Sequence, residues 1–231
     1  MNYSTPVNVD QSVVSQIVNR KLRNSMLWMG WGVLTTFLVL LGALLNSDWL
    51  QMAVNNYKVI LFIEIGVVFL FSARQTSASL TGLKTMFFVY SILNGLTLAV
   101  LSLVYGTDAF FYAFMGTLGF FAAFAVIGAT TKRDLSSWTN YLFAAVIGLI
   151  IVSLLSAFFF DGRGNLLIGF LGVIIFAIFT AVDVNRIKGI LTEVVMEDES
   201  VLERIELIGA LMLYLDFINL FLSLLRFFRR D

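Results

Sequence analysis

Six runs of mostly apolar residues, at 26–45, 59–72 with its flanks, 85–105, 109–129, 141–160 and 166–182, dominate the chain, and a seventh follows at 207–228. A helix rises 1.5 Å per residue and needs about 20 apolar residues to cross the hydrocarbon of a bilayer. The connections between these runs are too short to hold a soluble domain. With 59% hydrophobic and 13% charged residues, against about 25% charged in an average soluble protein, the pattern predicts an all-α integral membrane protein. We divide it into a cytoplasmic N-terminal segment, 1–25, and a seven-helix transmembrane domain, 26–231. The only proline is Pro6, so no span carries a proline kink. The many span glycines, Gly95, Gly128, Gly169 and Gly172 among them, read as sites of close helix approach.

Composition also removes whole classes of chemistry. Cysteine and histidine are both absent, which excludes disulfides, thiol nucleophiles, Cys/His zinc sites and Ser-His-Asp catalysis. Carboxylates are left as the side chains that respond to pH. The 15 basic and 15 acidic residues balance, so charge gives no case for nucleic acid as a partner. The first apolar run is too long for a signal-peptide core and has no clear cleavage site, so it is read as a retained span.

Basic residues orient the bundle. An N-terminus inside places ten of them, including Arg20, Lys21, Arg23, Arg74, Lys132 and Arg133, on the cytoplasmic side, against Lys58 and Arg163 outside. A full seventh span carries Arg226, Arg229 and Arg230 outside; a re-entrant segment would return them inside. A re-entrant loop must bury its unpaired backbone, and no Gly or Pro break follows Gly209 in the last run. The expectation is therefore seven spans with the C-terminus outside. Short loops point to a bacterial inner membrane.

The last run poses the main question, because it places Asp216 near the middle of an apolar helix. Intramembrane carboxylates are costly and normally face a bundle interior or a wet path. Ser200 and Glu203 fit a capping box that starts this helix at Val201, which puts Asp216 about 22 Å along it. Asp183 ends the sixth run and is expected near the inner boundary. Glu64, inside the second run, and Asn219, one turn beyond Asp216, are candidates to line a pore or ion path. The acidic run from Glu193 to Glu206 reads mostly as solvated loop and helix start.

Four segments carry a resemblance: "NGLTL" (94–98), "GATTKRDLSSW" (128–138), "FTAVDVNRIK" (179–188) and "ALMLYLDFINLFLSLLRFF" (210–228). Together they resemble the Bax inhibitor-1 family, also called the transmembrane Bax inhibitor motif family, over the chain from about residue 26 to its end. The resemblance implies six helices surrounding a central C-terminal seventh. It also implies a pH-sensitive calcium leak in which one aspartate on each of the last two helices, here Asp183 and Asp216, shares a proton. An arginine closing the second helix, here Arg74, would be the alternative partner of Asp183. Many members carry Tyr-Asp-Thr-Gln where this chain has Val182, Asp183, Val184 and Asn185, so their pH midpoint does not transfer.

Physics supports a pair of this kind. Two carboxylates about 4 Å apart repel by about 4 kcal/mol at an effective dielectric of 20, so they hold one proton between them. With the proton present the helices are tied together. Without it the two groups form an oxygen-rich site through which calcium passes transiently. Calcium and protons are thus the transported and sensed species, membrane lipid the surroundings, and no cofactor is called for. An enzyme is not expected: the residues before Asp216 are Leu213, Tyr214 and Leu215, not the Gly-x-Gly-Asp of intramembrane aspartyl proteases. The alternatives are a proton-coupled cation exchanger, and a regulatory protein that binds other membrane proteins to control cell death or membrane proteolysis.

Overall fold

The computed structural model describes residues 11–159 and 165–228. Residues 1–10, with Pro6, and the expected outer Arg163, Arg229 and Arg230 lie outside the described residues. The elements in order are α1 (Gln11–Leu45), α2 (Ser47–Asn55), α3 (Tyr57–Arg74), α4 (Leu80–Tyr105), α5 (Thr107–Thr130), a 3-10 turn (Ser136–Trp138), α6 (Thr139–Phe159), α7 (Asn165–Glu193) and α8 (Glu199–Phe227), with no strand among the described residues. Helices are the form in which a single segment can satisfy its own backbone in hydrocarbon. Short polar devices close the junctions. The Asn46 side chain accepts hydrogen bonds from the amides of Asp48 and Trp49, and Ser79 Oγ accepts one from Gly82 N at 3.1 Å. Gly106, at φ 79°, turns the chain from α4 into α5 within one residue because glycine takes this backbone region without steric cost.

Six helices are individually long and apolar enough to span a membrane. The expected second span is built differently from its sequence pattern. Residues 46–58, read as a connection, contain helix α2, which meets α3 at a bend of 76°, and the two together make the seventh candidate span. Two helices also outrun their apolar runs. α1 continues unbroken from Gln11 to Leu45, so residues 11–25 share one helix with the first apolar run. α7 continues to Glu193, because Ile187 and Leu191 keep an inward face at helical spacing. The expected capping box at the start of α8 does not form. That helix begins at Glu199 after Asp198, and Asp198 makes no side-chain cap.

α8 occupies the middle. Its most apolar window is 72% buried, against 11% for the window that contains α6. α7, α1, α5 and α4 pack directly on it, while α3 packs only on α4 and α2, and α6 on α7 and the 3-10 turn. The surround is therefore an inner group of four helices with α3 and α6 outside it. Inter-helix packing in hydrocarbon rests on close fit, not on a hydrophobic drive, and glycines supply it at two seams. A Cβ at Gly95 would stand 2.6 Å from the Thr36 carbonyl oxygen, on the α1–α4 seam. One at Gly169 would stand 2.8 Å from Phe227 N, on the α7–α8 seam.

Side chains fasten the ends. Lys21, buried on α1, meets Glu199 and, at 2.9 Å, Glu206 Oε1. Asn24 Nδ2 donates to the same Glu206 oxygen at 3.0 Å. Arg204 of α8 donates from Nη1 to the carbonyls of Gln75 and Ala78, both at 2.8 Å, so α8 also holds the turn between α3 and α4.

Gly95→Ala should therefore force α1 and α4 apart and cost about 1–3 kcal/mol by overpacking, seen as a lower thermal midpoint in detergent. Gly148→Ala, with open space around its Cβ, should leave that midpoint unchanged or slightly raised. Lys21→Met should cost ~3 kcal/mol because Glu206 is left buried without its counter-charge. The double variant with Glu206→Leu should recover most of that loss; a double variant as unstable as the single one would show that packing, not charge, holds this end.

Candidate functional site: two carboxylates between the last helices

α7 and α8 form the most extensive helix pair in the fold. Gly209 faces Ile187, and Gly172 faces Ser223, which sets an antiparallel register with Asp183 opposite Met212 and Leu213. Asp216 then lies about one turn further along, ~4.5 Å in axial rise. Asp183 is 7% exposed and Asp216 6%, and Asp216 lies in the field of the Asp183 charge. Asp183 sits ten residues inside the end of α7, a helix that continues past the sixth apolar run. Arg186, one turn on and exposed, is the cation whose charge reaches it. Asp216 Oδ2 is fully buried with no hydrogen-bond partner among the described residues. A buried carboxylate oxygen in that state needs a proton, a cation or water.

The other sequence candidates fall elsewhere. Arg74 is exposed at the end of α3, a helix with no packing against α7 or α8, so it is not brought to Asp183. Glu64 is buried on α3 and accepts a 2.6 Å hydrogen bond from Thr97 Oγ1 of α4, apart from the aspartates. Asn219 is half-buried; its carbonyl accepts from Ser223 Oγ at 2.7 Å, and its side chain faces a groove between α6 and α8, with no hydrogen bond to Asp216. Among the described residues no cluster of three or more His, Cys, Asp or Glu is placed to hold a metal ion. Asp183 and Asp216 alone fall short of the six to eight oxygens a resident calcium takes.

Several residues outside the candidate set prove structural. Asn185 accepts from Leu135 N at 3.0 Å and donates to the carbonyls of Thr131, at 3.2 Å, and Gly128. Lys188 Nζ donates to the Ala129 carbonyl at 2.6 Å. The segment that carries Asp183 is thereby fixed to the loop 128–138. In that loop, Asp134 Oδ1 accepts from Ser136 N at 2.8 Å; hydrogen bonding from the Ser136 hydroxyl and amide holds the Asp134 carboxyl below its ordinary range. At mid-bundle the Tyr214 hydroxyl lies 2.6 Å from Thr36 Oγ1, which also donates to the Ser91 carbonyl. The partners of Asn185 and Lys188 lie about 50 or more residues away in sequence, so no local pattern pointed to these roles.

Comparison with known proteins bears on the same segments. A family model described as "Inhibitor of apoptosis-promoting Bax1" matches residues 18–231. The chain is 36% identical over 205 residues to the inner membrane protein YbhL of Escherichia coli, covering 87% of each. It is 36% identical to an uncharacterized protein of Borreliella burgdorferi, over 74% of each. To an uncharacterized membrane protein of Streptococcus pyogenes it is 37% identical, over 73% of this chain and 72% of that one. The four segments that carry the resemblance also have distinct places in the fold: the α1–α4 seam, the loop 128–138, the helix that holds this loop, and the central helix. The chain belongs to the Bax inhibitor-1 family.

Proposed function

We propose that the protein is a pH-sensitive calcium leak channel of a bacterial inner membrane, gated by a proton shared between Asp183 and Asp216. The observation that carries this reading is the buried, unpartnered Asp216 Oδ2 in the field of a second buried carboxylate on the helix packed most closely against it. The relative named as an inner membrane protein supports the choice of membrane. With the proton in place, one carboxyl donates to the other and α7 is tied to α8. When it leaves, two like charges in a poorly solvated space repel, the helices part, and the oxygens freed face the path. Two carboxylates suit passage of calcium better than its retention, since the ion keeps some of its water ligands. Arg74, standing away from Asp183, corresponds to a latch not engaged in this state.

Calcium influx into liposomes that hold the purified protein, followed from about pH 5 to about pH 8 with and without an opposing proton gradient, tests the reading. Flux should rise with pH in the native chain, because the charged pair is the open one. Asp183→Asn and Asp216→Asn should each flatten that dependence, since neither leaves two charges to repel. The gradient should not drive the flux; if it does, the protein is an exchanger. Dependence on pH that survives both substitutions would remove the pair from the mechanism, and absence of native flux would move the protein to a partner-binding role.

A further inference from the structure

A groove of about 390 Å³ runs between α6 and α8 with Phe176 of α7 along its side. It exists because α6 packs on α7 and the 3-10 turn but not on α8, so the two helices diverge and leave a wedge open to the surrounding membrane. Its walls are apolar, with Leu149, Ile150, Leu154 and Leu222 along them, and the faces of Ile150 and Leu154 are more than half exposed. The charged group of the groove stands at one end. Arg226 stands in the last turn of α8, and its Nη1 donates to Ser153 Oγ of α6 at 3.3 Å.

The place of that guanidinium is unusual for a cation at a helix end. Arginines there normally extend outward to water. Arg226 instead meets a serine six residues inside the end of α6, about 9 Å along the axis, and spans the mouth of an apolar wedge. A guanidinium has five N–H donors, and the bond to Ser153 uses one. Among the described residues no carboxylate forms an ion pair with Arg226. A fork with free donors at the mouth of an apolar slot fits a phosphate that carries acyl chains: the phosphate takes the bidentate geometry and a chain fills the slot.

We propose that the α6–α8 groove is a binding site for an anionic phospholipid, with the phosphate held by Arg226 and Ser153 and an acyl chain lying against Leu149, Ile150, Leu154 and Leu222. A zwitterionic lipid carries its own cation beside the phosphate and gains less from Arg226. Asn219 and Ser223 line the inner part of the same groove, so the lipid ends one turn short of Asp216. The site does not depend on the channel reading, because it rests on lipid binding and not on flux.

The test is native mass spectrometry of the full-length protein titrated with equal amounts of phosphatidylglycerol and phosphatidylcholine. The native chain should retain phosphatidylglycerol about fivefold more strongly, the worth of one arginine near an anionic lipid. Arg226→Gln should bring the two lipids to parity, and Arg226→Lys should keep part of the preference. Leu154→Trp, which fills the slot with the charge intact, should lower retention of both and covers the case in which Arg226→Gln fails to fold. Equal retention by the native chain, a preference that survives Arg226→Gln, or retention unaffected by Leu154→Trp would overturn the site. Displacement of the lipid by millimolar inorganic phosphate would overturn it too, since the groove would then be a free-anion site.

Discussion

A carboxylate in the interior of a transmembrane helix is tolerated where other helices shield it from lipid, and Asp216 imposes that demand on α8. The helix that meets it is the most buried of the bundle, and α1, α4, α5 and α7 pack directly on it. Helices without an intramembrane charge, α6 above all, are free to face lipid. Charge does not set burial alone, since α4 has no acidic residue and is 50% buried in its apolar window. On α3, which is mostly exposed, Glu64 is buried with Ile60 and Phe71, and Thr97 of α4 hydrogen-bonds it.

Polar fastenings then divide the labour along the bundle axis. At the end where α8 begins, Lys21, Asn24 and Arg204 bind α8 to α1 and to the turn after α3. Where α7 passes the loop 128–138, Asn185 and Lys188 hold that loop by four hydrogen bonds. Inward of both sets lies the face of α7 that bears Asp183. It meets α8 through side chains and glycines, with no ion pair across it among the described residues. The region where movement is proposed is thus the one with the fewest polar ties.

Much of this was legible in the sequence because hydrocarbon leaves few choices: a run of twenty apolar residues is a helix, and an aspartate within it is buried. What was hidden depends on partners far along the chain. Glu199 and Glu206 sit in an acidic run that reads as solvated, and only the fold brings them to Lys21, 178 residues before Glu199. α2 reads as a loop because Asp48, Gln51 and Asn55 interrupt its apolar residues, although Asn46 caps it as a helix. The extension of α7 past Val182 was masked by Asn185, Arg186 and Lys188, which suggest a helix leaving the membrane. Ile187 and Leu191 keep its inner face apolar throughout. That extension keeps Asp183 within a helix that packs along α8.

The gating proposal can be weighed against the energy available to it. Two carboxylates at roughly 4 Å repel by about 4 kcal/mol at an effective dielectric of 20, and a shift of that size changes a two-state equilibrium by roughly a thousandfold. Opening must cost less than this if loss of one proton is to drive it. The α7–α8 seam fits that limit: Gly169, Gly172 and Gly209 bring backbone and short side chains together, and such surfaces separate without breaking ion pairs. Prying α8 from α1 would instead expose Lys21 and Glu206, a change that costs several kcal/mol for each uncompensated charge. On the proposed gate, loss of the proton would part α7 from α8 but not α8 from α1, and α7 would carry with it the loop 128–138 that Asn185 and Lys188 hold.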